Sequence, residues 1–163
     1  LRPAFAKDGT ITAANSSSIS DGASALILAS NEAAQRHGVK PLAKMLGHAT
    51  HSRHPSEFTI APVGAIEKLM KKLGWGVNDV DLFEINEAFA VVTLMAMDGL
   101  GLPHEKVNVF GGACAQGHPI GSTGSRIIAT LIHALRTKGG KRGIASLCIG
   151  GGEATAVAVE LMD

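Results

Sequence analysis

The sequence predicts an α/β fold: a mixed, mostly parallel sheet of five strands with helices packed on it. Short apolar runs alternate along the chain with longer amphipathic segments of helical period. The chain also ends on two strand-like runs separated by glycines, and its 20 glycines suit the many tight turns that such an alternation requires. The length of 163 residues fits a single domain with a sizeable core.

The individual elements follow from the apolar period and from the residues that begin and end helices. The helix predicted over residues 61–73 has Pro62 in its first turn and Gly74 as its stop. A helix over residues 88–97 is apolar on nearly every side, so we expect it to be buried. Other helices are predicted over residues 31–37 and from the loop at residues 111–124 to about residue 138. Six segments have strand-like patterns, one more than the five strands expected in the sheet: residues 23–29, 44–53, 80–85, 107–110, 142–149 and 155–161.

Composition and spacing exclude several classes of function. A formal net charge of +1 gives no basic surface for nucleic acid or an anionic membrane, and no apolar run has the length of a membrane span. The two cysteines have no framework spacing, which indicates free thiols and a cytoplasmic protein. His48, His51 and His54 recur every three residues, but on a strand the first two point to opposite faces. No Cys or carboxylate completes a ligand set nearby, so we expect no metal site.

Three stretches are candidates for chemistry. Residues 111–124 are rich in glycine, and a proline keeps His118 out of helical geometry; alone, this stretch is equally consistent with a functional loop and with a helix-entry loop that has an incidental histidine. Cys148 ends an apolar strand ahead of three glycines, although a buried cysteine is usually a small hydrophobe. Asn86 lies between a strand and a helix, where it could be an N-cap and Glu87 a first-turn acid.

These stretches carry a family resemblance. The Asn-Glu-Ala-Phe motif at residues 86–89, the Gly-His-Pro motif at residues 117–119 and the Cys-Ile-Gly-Gly-Gly motif at residues 148–152 resemble, in this order, the C-terminal half of a thiolase. Thiolases are acyl-CoA:acyl-CoA C-acyltransferases. The resemblance extends over nearly the whole chain and implies a thiolase-like C-terminal domain at residues 1–163. The nucleophilic cysteine of the family belongs to the N-terminal half, which is absent from this sequence.

The resemblance implies a role for each catalytic position. Cys148 is the acid/base that removes or returns the α-proton of a thioester. His118 activates the nucleophilic cysteine of the missing half, and it shares an oxyanion hole with a water held by Asn86. The Gly150 N–H serves a second oxyanion hole, and Glu87 supports the site without touching substrate. No metal and no cofactor is implied, because coenzyme A enters as a substrate.

A binding set for coenzyme A is implied as well: Ser17, Phe5, Ala13, Ala88 and Phe89. Ser17 contacts the pantetheine part of coenzyme A, and Phe5 and Ala13 line the surface beside it. From the residues alone, the serines here could equally satisfy local backbone groups. Ser18 stands where the family usually has glycine, which alters the expected backbone shape of this loop.

A second cysteine, Cys114, lies four residues before His118. The family does not use this position as a nucleophile, and a loop cysteine in an apolar context is typical of a structural residue. We therefore expect the isolated chain to hold half of an active site and not to turn over alone. The absent half would also leave an apolar face exposed, which favours self-association.

The implied activity is that of an acetyl-CoA C-acetyltransferase-like thiolase in fatty acid metabolism. It would catalyse Claisen condensation of acetyl-CoA and thiolysis of 3-ketoacyl-CoA when an N-terminal half completes the chain. The expected partners are acyl-CoA, that N-terminal half and further copies in a homo-oligomer. Two alternatives stay open: a ketoacyl synthase relative, which shares the fold but uses a different residue set, and a non-catalytic acyl-CoA-binding or interaction domain.

Overall fold

The computed structural model describes residues 1–162, which contain five α-helices and four β-strands. The helices are α1 (Asn31–Arg36), α2 (Ala61–Leu73), α3 (Ala90–Leu100), α4 (Ala113–Gln116) and α5 (Ile120–Lys138). The strands are β1 (Ala43–Ser52), β2 (Leu82–Ile85), β3 (Arg142–Cys148) and β4 (Glu153–Leu161). The stretch before α1 is largely irregular and includes one 3-10 turn, Ala13–Asn15.

The four strands form one mixed sheet in the order β1-β4-β3-β2. β2 and β3 are parallel neighbours, whereas β4 runs antiparallel to both β1 and β3. The short glycine turn between β3 and β4 permits only antiparallel pairing, because parallel neighbours need a long crossover. The α/β class with a mixed sheet is therefore confirmed. The expectation of five strands in mostly parallel pairing was wrong.

The strand predicted over residues 107–110 is reduced to one bridge between Val107 and Phe83. The next residue, Asn108, has φ 47°, and this left-handed conformation ends the extended run. Its side chain takes over the pairing with β2. Asn108 Oδ1 accepts a hydrogen bond from the Ile85 N–H and Nδ2 donates to the Ile85 carbonyl, both at 2.8 Å. A side-chain amide offers the same donor and acceptor as a peptide, so the edge of β2 is satisfied without a fifth strand.

The strand predicted over residues 23–29 was also wrong. This segment has no regular secondary structure, and it pairs with no strand in the part of the chain that the structure describes. Ile27 is 97% exposed and Leu28 is 78% exposed. Ser24 attaches the segment to α5 by donating a hydrogen bond to the Ser122 carbonyl at 2.9 Å. An apolar run becomes a strand only where a second strand completes its ladder, and that partner is a non-local requirement.

Two apolar layers enclose the sheet. α2 and α3 pack on one face, and α5 packs on the other. α2 has the predicted bounds, and Gly74 after it adopts φ 69°. α3 is less covered than its apolar sequence predicted. Val92 and Ala96 are buried against the sheet, but Leu94 is 59% exposed and Met95 40% exposed on the opposite side.

Candidate active site

Three of the predicted catalytic positions lie at one edge of the sheet, where the parallel strands β2 and β3 end. Asn86 directly follows β2, and its N–H donates to the carbonyl of Ser146 in β3 at 2.9 Å. Cys148 is the last residue of β3, and Gly150 lies in the turn that leads to β4. The carboxyl ends of neighbouring parallel strands lie side by side, so the fold gathers these residues at one place.

His118 reaches the same edge from the loop between α4 and α5. Its Nε2 lies 3.4 Å from Nδ2 of Asn86, and its backbone N–H donates to the Ser18 carbonyl at 3.0 Å. Nδ1 is 2.7 Å from the hydroxyl of Thr123. Because this hydroxyl donates its proton to the Pro119 carbonyl at 3.0 Å, it accepts a hydrogen bond from Nδ1–H. The neutral ring therefore carries its proton on Nδ1, and Nε2 keeps the electron pair of a base.

The surroundings favour the neutral form of this ring. Burial lowers the pKa of His118, and the positive charge of Arg126 in α5 lowers it further. Arg126 is fixed from the loop side, since its Nη1 donates to Oε1 of Gln116 at 2.8 Å. A histidine whose pKa lies below its ordinary range is unprotonated near pH 7 and can accept a proton there.

Asn86 and Glu87 do not play the local roles that a strand-to-helix junction suggests. α3 begins at Ala90, and Phe89 occupies its N-cap position without a side-chain cap. Asn86 is 2% exposed and turns its Nδ2 toward His118. Its Oδ1 is buried and accepts no hydrogen bond from the described residues. A buried amide oxygen of this kind can orient a water molecule beside the imidazole.

Cys148 is buried beside an open backbone turn. It is 8% exposed, and burial raises the pKa of its thiol, so the protonated form prevails near pH 7. In the turn that follows, Gly152 has φ 96°, and a β carbon there would clash with the carbonyl of Arg53. A β carbon at Gly150 would meet nothing within 4 Å. The triple glycine therefore combines one position that requires glycine with one whose backbone is open to a ligand.

Four of the five residues predicted to bind coenzyme A meet beside this edge. The N–H and the hydroxyl of Ser17 both donate to the Ala88 carbonyl, at 3.1 and 2.9 Å. The rings of Phe5 and Phe89 pack edge to face with centroids 6.0 Å apart. Ala13 lies exposed on the 3-10 turn upstream. Since the Ser17 hydroxyl already donates its proton to Ala88, it is left to accept a hydrogen bond from a ligand.

Sequence reasoning missed three side chains that hold the loops of the site, Thr123, Asn108 and Arg126, and it missed the buried carboxyl group of Glu84. Glu84 is 4% exposed on β2. Burial raises the pKa of Glu84 to about 7, while Arg126 opposes this shift and Glu87 adds to it. A strand covered by helices on both faces buries every side chain, and this was the signal available for Glu84. The signal for Thr123 was its place in the first turn of the helix that follows the histidine loop.

The three regularly spaced histidines do not converge. His48 is exposed on β1, and the ring of His51 packs so closely on Gly64 of α2 that a β carbon there would clash with it. His54 lies beyond β1 and accepts a hydrogen bond from the Ser56 N–H at 3.3 Å. Residues 1–162 contain no group of three or more His, Cys, Asp or Glu side chains that could hold a metal ion. No helix within these residues is long and apolar enough to cross a membrane.

Comparison with protein families identifies the class of this fold and site. Residues 39–161 match the family model of the thiolase C-terminal domain, and residues 1–32 match that of the thiolase N-terminal domain. Because the first match covers more than half of the chain, the chain belongs to the thiolase family.

Individual relatives carry two names. The acetyl-CoA acetyltransferase of Chromobacterium violaceum is 51% identical over 160 residues, which are 98% of this chain and 41% of that protein. The crystal structure of human mitochondrial 3-ketoacyl-CoA thiolase is 47% identical with a TM-score of 0.97, covering 100% of this chain and 41% of that chain. The same human enzyme in complex with CoA has a TM-score of 0.93 at 45% identity, with 100% and 41% covered. This chain thus spans about two fifths of the length of the relatives it matches.

Proposed function

We propose that this chain supplies the C-terminal half of the active site of an acetyl-CoA C-acetyltransferase-like thiolase. The observation that carries the proposal is the contact between Asn86 and His118 at the edge of the sheet where Cys148 ends β3. Relatives that match nearly the whole chain are named for this activity, which supports the same assignment.

The proposed chemistry uses each group in the protonation state that its surroundings favour. In thiolysis, His118 Nε2 accepts the proton of the nucleophilic cysteine in the N-terminal half, and the thiolate attacks the 3-keto carbonyl. Cleavage of the carbon–carbon bond leaves an acyl-enzyme and an enolate of acetyl-CoA. The enolate carbon takes the proton of the Cys148 thiol, and the resulting thiolate then deprotonates the incoming coenzyme A. The coenzyme A thiolate attacks the acyl-enzyme carbonyl and releases the nucleophilic cysteine as a thiolate, which recovers its proton from His118. Claisen condensation is the reverse sequence.

Oxyanion stabilisation would come from two places at this edge. Once protonated, His118 Nε2–H donates to the enolate oxygen, together with a water that donates its other proton to Asn86 Oδ1. Around the acyl-enzyme carbonyl, the exposed backbone N–H of Gly150 is the proposed donor. Support for the first comes from the buried, unpaired Asn86 oxygen beside the imidazole. Support for the second comes from the open space around Gly150.

Coenzyme A is proposed as a substrate, with no metal and no resident cofactor in the reaction. The related human enzyme has been crystallised with CoA, which supports a CoA site in this chain. Its binding set would be the five residues already named: Ser17, Phe5, Ala13, Ala88 and Phe89. Acyl-CoA substrates in turn support a role in fatty acid metabolism. The free thiols of both described cysteines support a cytoplasmic location.

The partner that we propose is a thiolase N-terminal half, which brings the nucleophilic cysteine. Two observations support its docking beside the N-terminal segment. Residues 1–32 match the N-terminal domain model, and the apolar side chains of Ile27, Leu28, Leu94 and Met95 are exposed. Exposed apolar surface of this kind is typical of an interface. We further propose that the completed enzyme is a homo-oligomer.

A thiolysis assay tests the proposal: acetoacetyl-CoA and coenzyme A are mixed with the purified chain, and loss of the ketoacyl thioester is followed. We expect no turnover by the chain alone. Turnover should appear when the preceding part of the Chromobacterium violaceum relative is added as a separate N-terminal half. In that mixture His118→Ala should lower kcat by about 10²–10⁴. His133→Ala, on an exposed position of α5, should leave it unchanged.

Two outcomes would contradict the proposal. Turnover by the chain alone that disappears in Cys114→Ala would mean that Cys114 is the nucleophile. This is not expected, because burial and the nearby Glu87 carboxylate raise the pKa of that thiol. Binding of coenzyme A without turnover, even in the presence of a competent N-terminal half, would instead identify a non-catalytic acyl-CoA-binding domain.

A further inference from the structure

Glu87 connects the two segments that meet in the site. Its carboxylate points to the loop ahead of His118, where each oxygen accepts one hydrogen bond. Oε1 accepts from Asn108 Nδ2 at 3.0 Å, and Oε2 accepts from the backbone N–H of Cys114 at 3.1 Å. The thiol of Cys114 adds a weak contact of 3.9 Å to the Glu87 carbonyl. Glu87, which directly follows Asn86, thus connects that segment to the start of α4.

The loop is shaped to receive this carboxylate. Gly112 is buried directly over it, and a β carbon at Gly112 would clash with the Glu87 carboxyl group. Gly112 itself has φ −141°, a conformation open to any residue, so contact with Glu87 is the constraint at this position and backbone strain is not. A β carbon here would therefore push the carboxylate away from its present position.

The hydrogen bonds require a carboxylate in particular. Asn108 and Cys114 each present an N–H, so both oxygens of Glu87 must act as acceptors. A glutamine in its place would offer one oxygen and one NH₂ group. Whichever way the amide turned, its NH₂ group would face either the Asn108 amide or the Cys114 N–H, and both of these are donors. An isosteric change of a single atom therefore breaks one of the two contacts and leaves a partly buried N–H unpaired.

We propose that Glu87 is a positioning residue: by joining Cys114 to the segment of Asn86, it fixes the separation between Asn86 and His118. Cys114 lies four residues before His118 along the chain, and the short helix α4 and Gly117 connect them. The 3.4 Å contact between the two functional side chains depends on this link. The inference rests on the proposed function for its kinetic meaning, but its geometric content can be tested without catalysis.

The direct test is ¹⁵N NMR of the histidine rings in the 163-residue chain, with His118 assigned by its loss in His118→Gln. In the unchanged chain we expect separate shifts for a protonated Nδ1 and an unprotonated Nε2. In Glu87→Gln these shifts should approach each other as the tautomers mix, and the pKa of His118 should rise because the loosened ring gains water. Removal of a negative charge alone would lower that pKa, so the direction separates positioning from plain electrostatics.

Glu67→Gln, an exposed carboxylate on α2, makes the same change of charge and is the matched control. In the chain completed with an N-terminal half, Glu87→Gln should lower kcat for thiolysis about 10–100-fold with KM for coenzyme A changed less than about twofold. Gly112→Ala should give the same pattern, because its β carbon would push the Glu87 carboxylate away from Asn108 and Cys114 without changing its charge. If Glu87→Gln does not fold, the ¹⁵N NMR of His118 and the thiolysis kinetics are both measured on Gly112→Ala instead.

Each result decides between the inferences. Unchanged tautomer and pKa of His118 in both variants would overturn the positioning role, whatever the activity. A loss of kcat equal to that of Glu67→Gln would overturn it as well. If the completed but unsubstituted chain shows no thiolysis, the proposed function fails, while the NMR result still decides whether Glu87 positions the imidazole.

Discussion

Two regions border the candidate site, and they are held in different ways. The loop region, residues 84–124 without α3, is held by hydrogen bonds from its own side chains, with further bonds to Ser17, Ser18 and Ser24 of the N-terminal segment. Asn108 pairs with Ile85, and His118 is fixed by Thr123 on one side and faces Asn86 on the other. The N-terminal segment, residues 1–30, touches the same edge through few contacts and leaves Ile27 almost fully exposed.

The loop region fixes the catalytic geometry, whereas the N-terminal segment presents exposed apolar side chains. The contact of Asn86 with His118 needs nothing outside the described chain, so this part of the site is pre-organised. The N-terminal segment has apolar side chains but little apolar surface to bury them against, so its stabilisation depends on a partner. Substitutions in the loop region should therefore reduce the stability of the chain itself. Substitutions in the N-terminal segment should reduce only its association.

The largest expected effect on the free energy of unfolding comes from a substitution in the loop region. Asn108→Ala should lower the free energy of unfolding by about 3 kcal/mol. It removes three hydrogen bonds, leaves the Ile85 N–H without a partner and the Ile85 carbonyl with only the Thr93 hydroxyl at 3.3 Å, and puts alanine in a left-handed conformation. Urea unfolding of the 163-residue chain measures the change. Asn78→Ala, at an exposed position, should change it by less than about 0.5 kcal/mol. Equal values for the two variants would show that the loop region is not held by this amide.

A somewhat smaller effect is expected in the pH dependence of stability, where the buried Glu84 of the loop region contributes. The folded chain raises the pKa of Glu84 from 4.5 to about 7, so the folded state binds more protons than the unfolded state between these values. Stability from this group is present below pH 4.5 and is lost as pH rises through 7; between pH 5 and pH 8 the loss is about 2–3 kcal/mol. Glu84→Gln should remove this loss, which urea unfolding at pH 5 and pH 8 would show.

Two controls make the pH result specific. His118 acts in the opposite sense, because its lowered pKa makes stability rise with pH below about 6.5. The difference between the unchanged chain and Glu84→Gln cancels that contribution. Glu32→Gln, on an exposed carboxylate in α1, should keep the slope of the unchanged chain. A slope that Glu84→Gln does not alter would mean that this carboxyl is ionised in the fold.

The smallest effect on stability concerns the N-terminal segment. Ile27→Ser should change the free energy of unfolding by less than about 0.5 kcal/mol, because Ile27 is 97% exposed. In a titration of activity with an N-terminal half, however, the midpoint should rise about 10–100-fold, as expected for an isoleucine that becomes buried on association. Val39→Ser, an exposed apolar residue outside this segment, should leave the midpoint in place. A stability loss without a shift of the midpoint would reverse the comparison.

What could be predicted from the sequence follows the same division between local and non-local causes. The bounds of α2 were predicted correctly because Pro62 and Gly74 act within one turn of the chain. The strand at residues 23–29 was wrong, since a strand requires a partner that composition does not reveal. The strand at residues 107–110 was wrong because one asparagine side chain replaces a ladder, and no periodicity signals that.

The candidate site shows the limit more clearly. The spacing of residues along the sequence could not predict that Asn86 and His118 meet, with Nδ2 and Nε2 3.4 Å apart. The family resemblance led to them, and the parallel pairing of β2 with β3 supplies the physical reason for their meeting. Thr123 contacts the imidazole and Glu87 binds the loop ahead of it, and both contacts depend on the final position of that loop. Such supporting side chains are unremarkable in sequence, because their residue types are common in the first turns of helices.

The hydrogen bond from Asn86 to Ser146 has a consequence for how the molecule assembles. It joins residues about 60 positions apart, across α3, α4 and α5, and continues the parallel register of β2 and β3. Closing so long a loop is entropically unfavourable and comes with the slow, non-local steps of folding. Helices can form early without creating the site. A molecule in which the polar groups of this edge have met has therefore already paired β2 with β3 across that long loop.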